Sequence, residues 1–517
     1  MKRELVNIIT GVGLTLLAGA VVLLLLTALL FMFPDLSLFG AKSVNERDSQ
    51  VVYRDPALTD AFANGRFIIE STGAQIEVKM SNTGYEGEGT IVVNETATGI
   101  AFNSLNRTLI EWTQTLYEGE TFCRIKVLEP SGLVFSDKPT TIYINLPHRK
   151  VADSFRHDFV LQSTYSNVNF SFVDNTAGSS DALRIGNLVV ESAATVNIPS
   201  SPNISLQNIE LKSEATKIVC QSKVLGNVDV LGPSGEQTFN ASIGGKVTIK
   251  GEGNNFTGDT AGDVVFSSAN GSLTMNKVKN LNINTVNAGF NIDTVTNGVV
   301  MQTMYGNLNV NKIENNGLQF TAGVKDNPNA TASVSVNSLV GDVKIKNYGI
   351  GGIYLTDVDG DVDIESSQVG GGNIDVTFQN DAEDCSVKVL GYDGNINIQN
   401  INGQTNIEVL NWKNGAGAAN VNVSFNKIVG FDNEIKTGGY ISGHHDWGNV
   451  DIQINDGCNG FDLYVYGASS ANSESKYGFD KNNMYIIGDN APESPNKVGL
   501  ISSGAVKVRS KQSVYLR

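Results

Sequence analysis

From about residue 185 the chain repeats one short phrase: a glycine, a small polar residue, then two aliphatic residues flanking a polar one. It reads Gly186-Asn187-Leu188-Val189-Val190, Gly226-Asn227-Val228-Asp229-Val230, Gly245-Lys246-Val247-Thr248-Ile249 and Gly306-Asn307-Leu308-Asn309-Val310. It continues through Gly341-Asp342-Val343-Lys344-Ile345, Gly360-Asp361-Val362-Asp363-Ile364, Gly394-Asn395-Ile396-Asn397-Ile398 and Gly448-Asn449-Val450-Asp451-Ile452. Looser copies begin at Gly262, Gly271, Gly289, Gly372, Gly403 and Gly504. In extended backbone successive side chains point to opposite faces, so each triplet sends two aliphatics inward and one polar group to solvent. Many spacings fall near 17–20 residues, and two (Gly262 to Gly271, Gly394 to Gly403) are 9. A step of about 18–20 residues, sometimes halved, marks a stack of turns, because one turn alone cannot bury its apolar face. Glycine is expected to supply positive φ at each corner, and asparagine to form side-chain ladders between turns. Roughly 280 residues at about 18 per turn predict on the order of 15 turns and a rod of about 70 Å.

Before the repeat, Phe67-Ile68-Ile69, Gln75-Ile76-Glu77-Val78, Thr90-Ile91-Val92-Val93, Thr121 to Val127 and Thr141-Ile142-Tyr143-Ile144 read as short strands separated by Gly, Asn or Ser. No segment after residue 60 keeps helical spacing over three turns. The expected class is all-β: a β-solenoid (β-helix) ectodomain preceded by a small leading β domain and a single N-terminal transmembrane helix. The expected organisation is a cytoplasmic tail at 1–7, a signal anchor at 8–33 and a stalk at 34–60. A β domain follows at 61–147, solenoid repeats at 148–430, and C-terminal coils with a cap at 431–517.

The membrane expectation rests on Ile8 to Phe33, which holds no charged residue. At about 1.5 Å per residue that run is long enough for a bilayer core of roughly 30 Å. Its apolar core exceeds the length usual for a cleaved signal peptide, so an uncleaved anchor is expected. Lys2 and Arg3 precede it and should stay cytoplasmic, placing everything after Pro34 outside the cell membrane. Gly11, Thr15 and Gly19 recur every four residues, a spacing that lets spanning helices meet as a homo-oligomer, although small residues are common in membrane helices generally.

The strand-rich region ending in Thr141-Ile142-Tyr143-Ile144-Asn145-Leu146-Pro147, followed by many Gly-[Asn/Asp]-aliphatic-polar-aliphatic copies, resembles a bacterial family of adhesin-like β-solenoids. Its members are often described only as domains of unknown function. The resemblance covers roughly residues 65–515 and is carried by architecture, with no reactive residue in it. It implies an extracytoplasmic solenoid, often membrane-tethered, with an adhesive or envelope-associated role. The stretch after about residue 430 departs from the pattern.

Composition narrows the partners. Across 517 residues, 53 acidic against 37 basic side chains leave a net charge of −16, which excludes nucleic acid as the main partner. A cell-surface glycan or protein is the expected ligand, with Tyr440, Trp447, Tyr464 and Tyr466 as candidate contacts in an aromatic-rich C-terminal stretch that equally suits a solenoid cap. Asp357, Asp359, Asp361 and Asp363 are the candidate Ca²⁺ ligands, and no other cofactor is expected. An EF-hand counted from Asp357 fails, since Val362 and Gln368 stand where Gly and an acidic residue belong; a solvated strand face accounts for the same alternation. His444-His445-Asp446-Trp447 is the densest cluster of coordinating side chains, but adjacent residues of an extended segment point apart. Gly443-His444 with Arg509-Ser510-Lys511 superficially resembles motifs of polygalacturonases, yet no adjacent Asp pair precedes the histidine and glycoside hydrolysis needs two placed carboxylates. The preferred function is non-catalytic: adhesion or envelope structure. A polysaccharide-active β-helix enzyme and an envelope stress sensor working through a membrane partner are the alternatives.

Overall fold

The computed structural model describes residues 14–25, 28, 42–44, 49–81, 89–103, 105–136, 138–146, 156–173, 183–214, 216–325, 330–366, 372–392, 394–410, 420–430, 432–437, 440–441, 444–445, 450–455, 458, 461–466, 485–486, 497–502, 506–510 and 513–516. The protein is all-β, with many parallel strand pairs. Among the described residues, helix is confined to 14–25, 28 and Pro56–Ala63. The helical stretch 14–25 covers roughly 18 Å at the usual rise, and among the described residues no helix is long and apolar enough to cross a membrane. The spanning helix expected at 8–33 is therefore not found, and the rest of that segment lies outside the described residues.

The chain divides into two compact units, 1–225 and 226–517. In the first, the stretch expected as a stalk carries strands Lys42–Val44 and Ser49–Tyr53 and the helix Pro56–Ala63. Asp55 caps that helix, its Oδ1 accepting from the Ala57 N–H at 2.8 Å, and Pro56 suits the first turn, where its missing N–H costs nothing. Leu58 and Phe62, four apart, are fully buried, and the Phe62 ring meets Phe67 edge-on at 5.1 Å.

Two short strands, Arg66–Thr72 and Gln75–Ser81, turn at Gly73 (φ 110°). Both pair in parallel with the single long strand His157–Val173. Arg66 faces Asp158 and Gln75 faces Asn167, at one offset of 92 residues throughout. Residues 66–81 are thus a full stacking layer; before resuming at 157 the chain builds antiparallel pairs, and two strands of that excursion, Glu120–Leu128 and Thr141–Leu146, also pair in parallel with Arg66–Thr72 and Gln75–Ser81. Within that excursion Leu109–Tyr117 pairs antiparallel with Glu120–Leu128, and Thr90–Glu95 lies antiparallel to both Ser49–Tyr53 and Thr141–Leu146. Strands Leu183–Ile198, Ile204–Leu211 and Thr216–Cys220 then continue the parallel stacking. Inside, Phe67, Phe159 and Phe170 are buried with ring centroids 5.2–5.3 Å apart.

In the second unit the strands form two interleaved parallel series. One runs Val247, Val264, Leu281, Val299, Leu318, Val343, Val362, Val387, each residue in register with the next. The other runs Phe256, Leu273, Phe290, Leu308, Val334, Ile353, Ile374, Ile396, Val421, Val450. Every residue in both rows is buried, and so is the parallel row two positions on, such as Ile283, Met301, Phe320 and Ile345. Phe266 of the first series meets Phe290 of the second edge-on at 5.0 Å, so the two series share one core. The half-steps of the sequence now have a cause: Gly262 precedes the strand Val264–Val278, whose first half belongs to the first series, Gly271 stands inside it where its second half joins the second series, and Gly394 and Gly403 precede strands of the second and first series.

Glycine supplies the expected positive φ at Gly271, Gly341 and Gly360, but not at every corner. At Gly262 and Gly403 no positive φ is needed; a Cβ there would stand 2.4 Å from the Gly245 carbonyl oxygen and 2.1 Å from that of Cys385. Close approach of one layer's backbone to the next excludes a side chain. The polar residue after the glycine has its own task. Oδ1 of Asn227 accepts from the Lys246 N–H, that of Asp342 from Asp361, that of Asp361 from Ser386, and that of Asn395 from Asn420, at 2.7–3.2 Å. Each satisfies a backbone donor just ahead of the strand in the next layer, which requires only an acceptor oxygen. That is why Asn and Asp interchange there.

Candidate functional site

The four aspartates are spread over two elements. Asp357 (φ 55°) and Asp359 close the strand Ile353–Asp359, Asp361 lies in the connection, and Asp363 belongs to Val362–Ser366. Asp357 accepts from the Ser338 hydroxyl at 3.2 Å, Asp361 is engaged on the Ser386 backbone at 2.7 Å, and Asp363 stands in register between Lys344 and Lys388. Among the described residues, no three His, Cys, Asp or Glu side chains gather closely enough to hold a metal ion.

The aromatic candidates fall on separate elements. Tyr440 lies opposite His445 in a two-residue antiparallel pair, with Ile441 opposite His444. Tyr464 and Tyr466 are two residues apart on the strand Phe461–Tyr466, opposite Gly499 and Ile501. Trp447 and Asp446 lie outside the described residues.

A concave feature that sequence reasoning missed lies on the outward side of the second series. A shallow groove of about 350 Å³ runs across the strands Val264–Val278, Asn287–Val295, Asn307–Ile313 and Val334–Val340. Two columns of side chains form its surface. Thr274, Asn291, Asn309 and Ser335 stand in register in one, and Asp293, Asn311 and Asn337 belong to the other, two residues further along each strand. Strand spacing sets neighbours in a column roughly 4.8 Å apart and the columns roughly 6.6 Å apart. Amide bonds align them: Asn309 Nδ2 donates to Asn291 Oδ1 at 3.1 Å, Asn311 to Asp293 at 3.0 Å and Asn337 to Asn311 at 3.2 Å. Next in the first column after Ser335 comes Tyr354, 43% exposed. Its ring lies over Gly352, where a Cβ would come within 2.6 Å of the ring and hydroxyl. The sequence signal was present, as polar middles of the triplets, but it did not say that four of them share one side.

Among the described residues, the histidine and the carboxyl group whose pKa values are displaced lie in the first unit. His157, 4% exposed, sits with Phe67 and Phe159 at centroid distances of 6.0 and 6.2 Å, and burial drives its pKa down to about 4. Burial, with the neighbouring Glu95 carboxylate second, pushes Glu129 up to about 7. Glu95 itself is buried and accepts the Thr108 N–H at 2.8 Å. Cys123, Cys220, Cys385 and Cys458 are buried thiols, not disulfides; burial raises all four, Cys123 and Cys458 to about 11 and Cys220 to about 12, which removes the thiolate that reactivity needs.

No protein-family model matches this chain, and no curated protein matches it. Among solved structures it is similar to one called a "putative cell adhesion protein" from Clostridium sporogenes, at 10% identity and a TM-score of 0.17, over 56% of this chain and 99% of that one. A likeness of that size carries no argument about this protein.

Proposed function

We propose that this protein is a membrane-tethered, extracytoplasmic β-solenoid with a non-catalytic adhesive or envelope-structural role. The observation that carries the reading is the parallel register of the two series, broken in the second only by local shifts after Leu355 and Ile398, which repeats the same inward row and mostly polar outward columns layer after layer. A surface that repeats one weak polar contact many times gains strength from simultaneous engagement, which suits attachment to a repetitive partner better than turnover of a single substrate. The uncharged run from Leu14 to Phe33 behind Lys2 and Arg3 supports tethering with the strand-rich region outside. Cells displaying the full chain should attach to neighbouring cells or glycan-coated surfaces several-fold better than otherwise identical cells lacking it, and protease added outside intact cells should remove the β region. Equal attachment of the two, with the β region protected from protease, would contradict the proposal.

A further inference from the structure

Resting on that adhesive reading, we propose that the groove across the second series binds an extended, uncharged glycan chain, with the Tyr354 ring as a stacking platform at its side. The groove is lined by amide and hydroxyl side chains together with Met275, Ile292 and Val310, and Asp293 is its one charged side chain. Such a surface matches a ligand rich in hydroxyls and free of charge. An acidic glycan needs Lys or Arg, which the lining lacks, and meets a chain of net charge −16. A protein partner would be expected to find aromatic or Arg anchors in a desolvated pocket, whereas this surface is shallow and wet.

The amides are ordered in advance. The bond from Asn309 to Asn291 uses one of the two Nδ2–H groups of Asn309, and Asn311 both donates to Asp293 and accepts from Asn337. A carboxamide has two donors and two lone pairs, so these exposed side chains keep hydrogen-bonding capacity for sugar hydroxyls. Holding the side chains in register before binding reduces the entropy that association must overcome. Tyr354 adds the apolar face that pyranose C–H groups seek, and the absence of a side chain at Gly352 lets its ring lie along the sheet.

The test uses the purified full chain in detergent and calorimetric titration with neutral hexasaccharides (cellohexaose, laminarihexaose, maltohexaose) and with acidic hexagalacturonate. The unaltered protein should bind at least one neutral hexamer more tightly than hexagalacturonate. Tyr354→Ala and Asn309→Ala should each weaken that binding by about tenfold, near 1.4 kcal/mol. Gln319→Ala, an exposed residue on the other series, should leave it unchanged. Both groove variants change exposed side chains, and matched unfolding curves show whether they remain folded. Failure of every neutral hexamer, preference for hexagalacturonate, or binding indifferent to both groove variants would overturn the groove assignment. Attachment of displaying cells, measured alongside, separates the two readings: attachment that survives Tyr354→Ala and Asn309→Ala removes the groove and leaves the adhesive role standing.

Discussion

The two units bury similar kinds of side chain by different means. In residues 226–517 the core is a set of rows in which one aliphatic or Phe position recurs in successive layers, and polar groups between layers are satisfied by Asn and Asp ladders. Asn280 donates to Asp263, Asn297 to Asn280 and Asn316 to Asn297, at steps of 17, 17 and 19 residues. In residues 1–225 the same parallel stacking is interrupted by antiparallel strands and a helix, and the price is irregularity: buried Glu95 and Thr108 sit among elements that do not repeat, and buried His157 stands where the parallel stack resumes. Regular stacking solves each burial problem once and reuses the answer. An interrupted stack must solve each locally, and there a histidine and two carboxylates are held in or beside the core.

The comparison is most severely stressed by deleting a ring from the regular core. Phe290→Ala removes the partner of Phe266 and should cost about 3–5 kcal/mol, read as a lowered midpoint in denaturant unfolding of the second unit. A loss below about 1 kcal/mol would mean that the rows are loosely packed.

Acidity probes the irregular unit. His157 has a depressed folded pKa, so its contribution is complete above about 6.5 and disappears as pH falls toward about 4. Glu129 has a raised one, so its contribution is complete below about 4.5 and is lost as pH rises through about 7. Between those limits the unfolded chain carries its proton on His157 and the folded chain on Glu129, and the two trends oppose each other. The unaltered first unit should therefore show a thermal midpoint nearly flat from pH 4.5 to 6.5 with respect to this pair. Glu129→Gln should expose a rise in stability with pH over that window, by up to about 3 kcal/mol from the histidine, and His157→Leu a fall. Identical pH profiles for all three proteins would remove both groups from the account.

Smaller effects separate close approach from backbone flexibility at glycine. Gly262→Ala forces a Cβ against the Gly245 carbonyl and should cost about 1–3 kcal/mol. Gly289→Ala, with open space one position later in the phrase, should cost less than about 1 kcal/mol by thermal unfolding. The mildest change concerns the acceptor after the glycine: Asp361→Asn should be nearly neutral, while Asp361→Ala should lose about 1 kcal/mol by leaving the Ser386 N–H without its oxygen. A larger loss for Asn than for Ala would contradict the acceptor role.

Much of the second unit was legible beforehand. Leu308-Asn309-Val310 and Val343-Lys344-Ile345 alternate inside and outside as their pattern predicts. Strands Val299–Thr303 and Leu318–Ala322 escaped notice because their glycines, Gly298 and Gly317, adjoin the first aliphatic directly, with no polar residue between. The layer at 66–81 was invisible as a repeat, since its parallel partners lie 56, 66 and 92 residues away, beyond any short period. The helix at Pro56–Ala63 was signalled by Asp55-Pro56 and Gly65, but eight residues are too few to establish a helical period. As for the site, the aspartates were visible as an alternating run and are divided by strand boundaries. The groove depends on which triplets share a side, and a linear pattern does not contain that information.

The most direct test of the stacked arrangement is a pair of spin-label distances along one outward column. Asn282, Val300, Gln319, Lys344, Asp363, Lys388, Asn406 and Glu434 follow one another in register. Labels at Asn282 and Lys388, five strand steps apart, should lie about 24 Å from one another, and labels at Asn282 and Glu434, seven steps apart, about 34 Å. Distances that grow with the number of steps in this way are what the account predicts; narrow distributions unrelated to step count would contradict it.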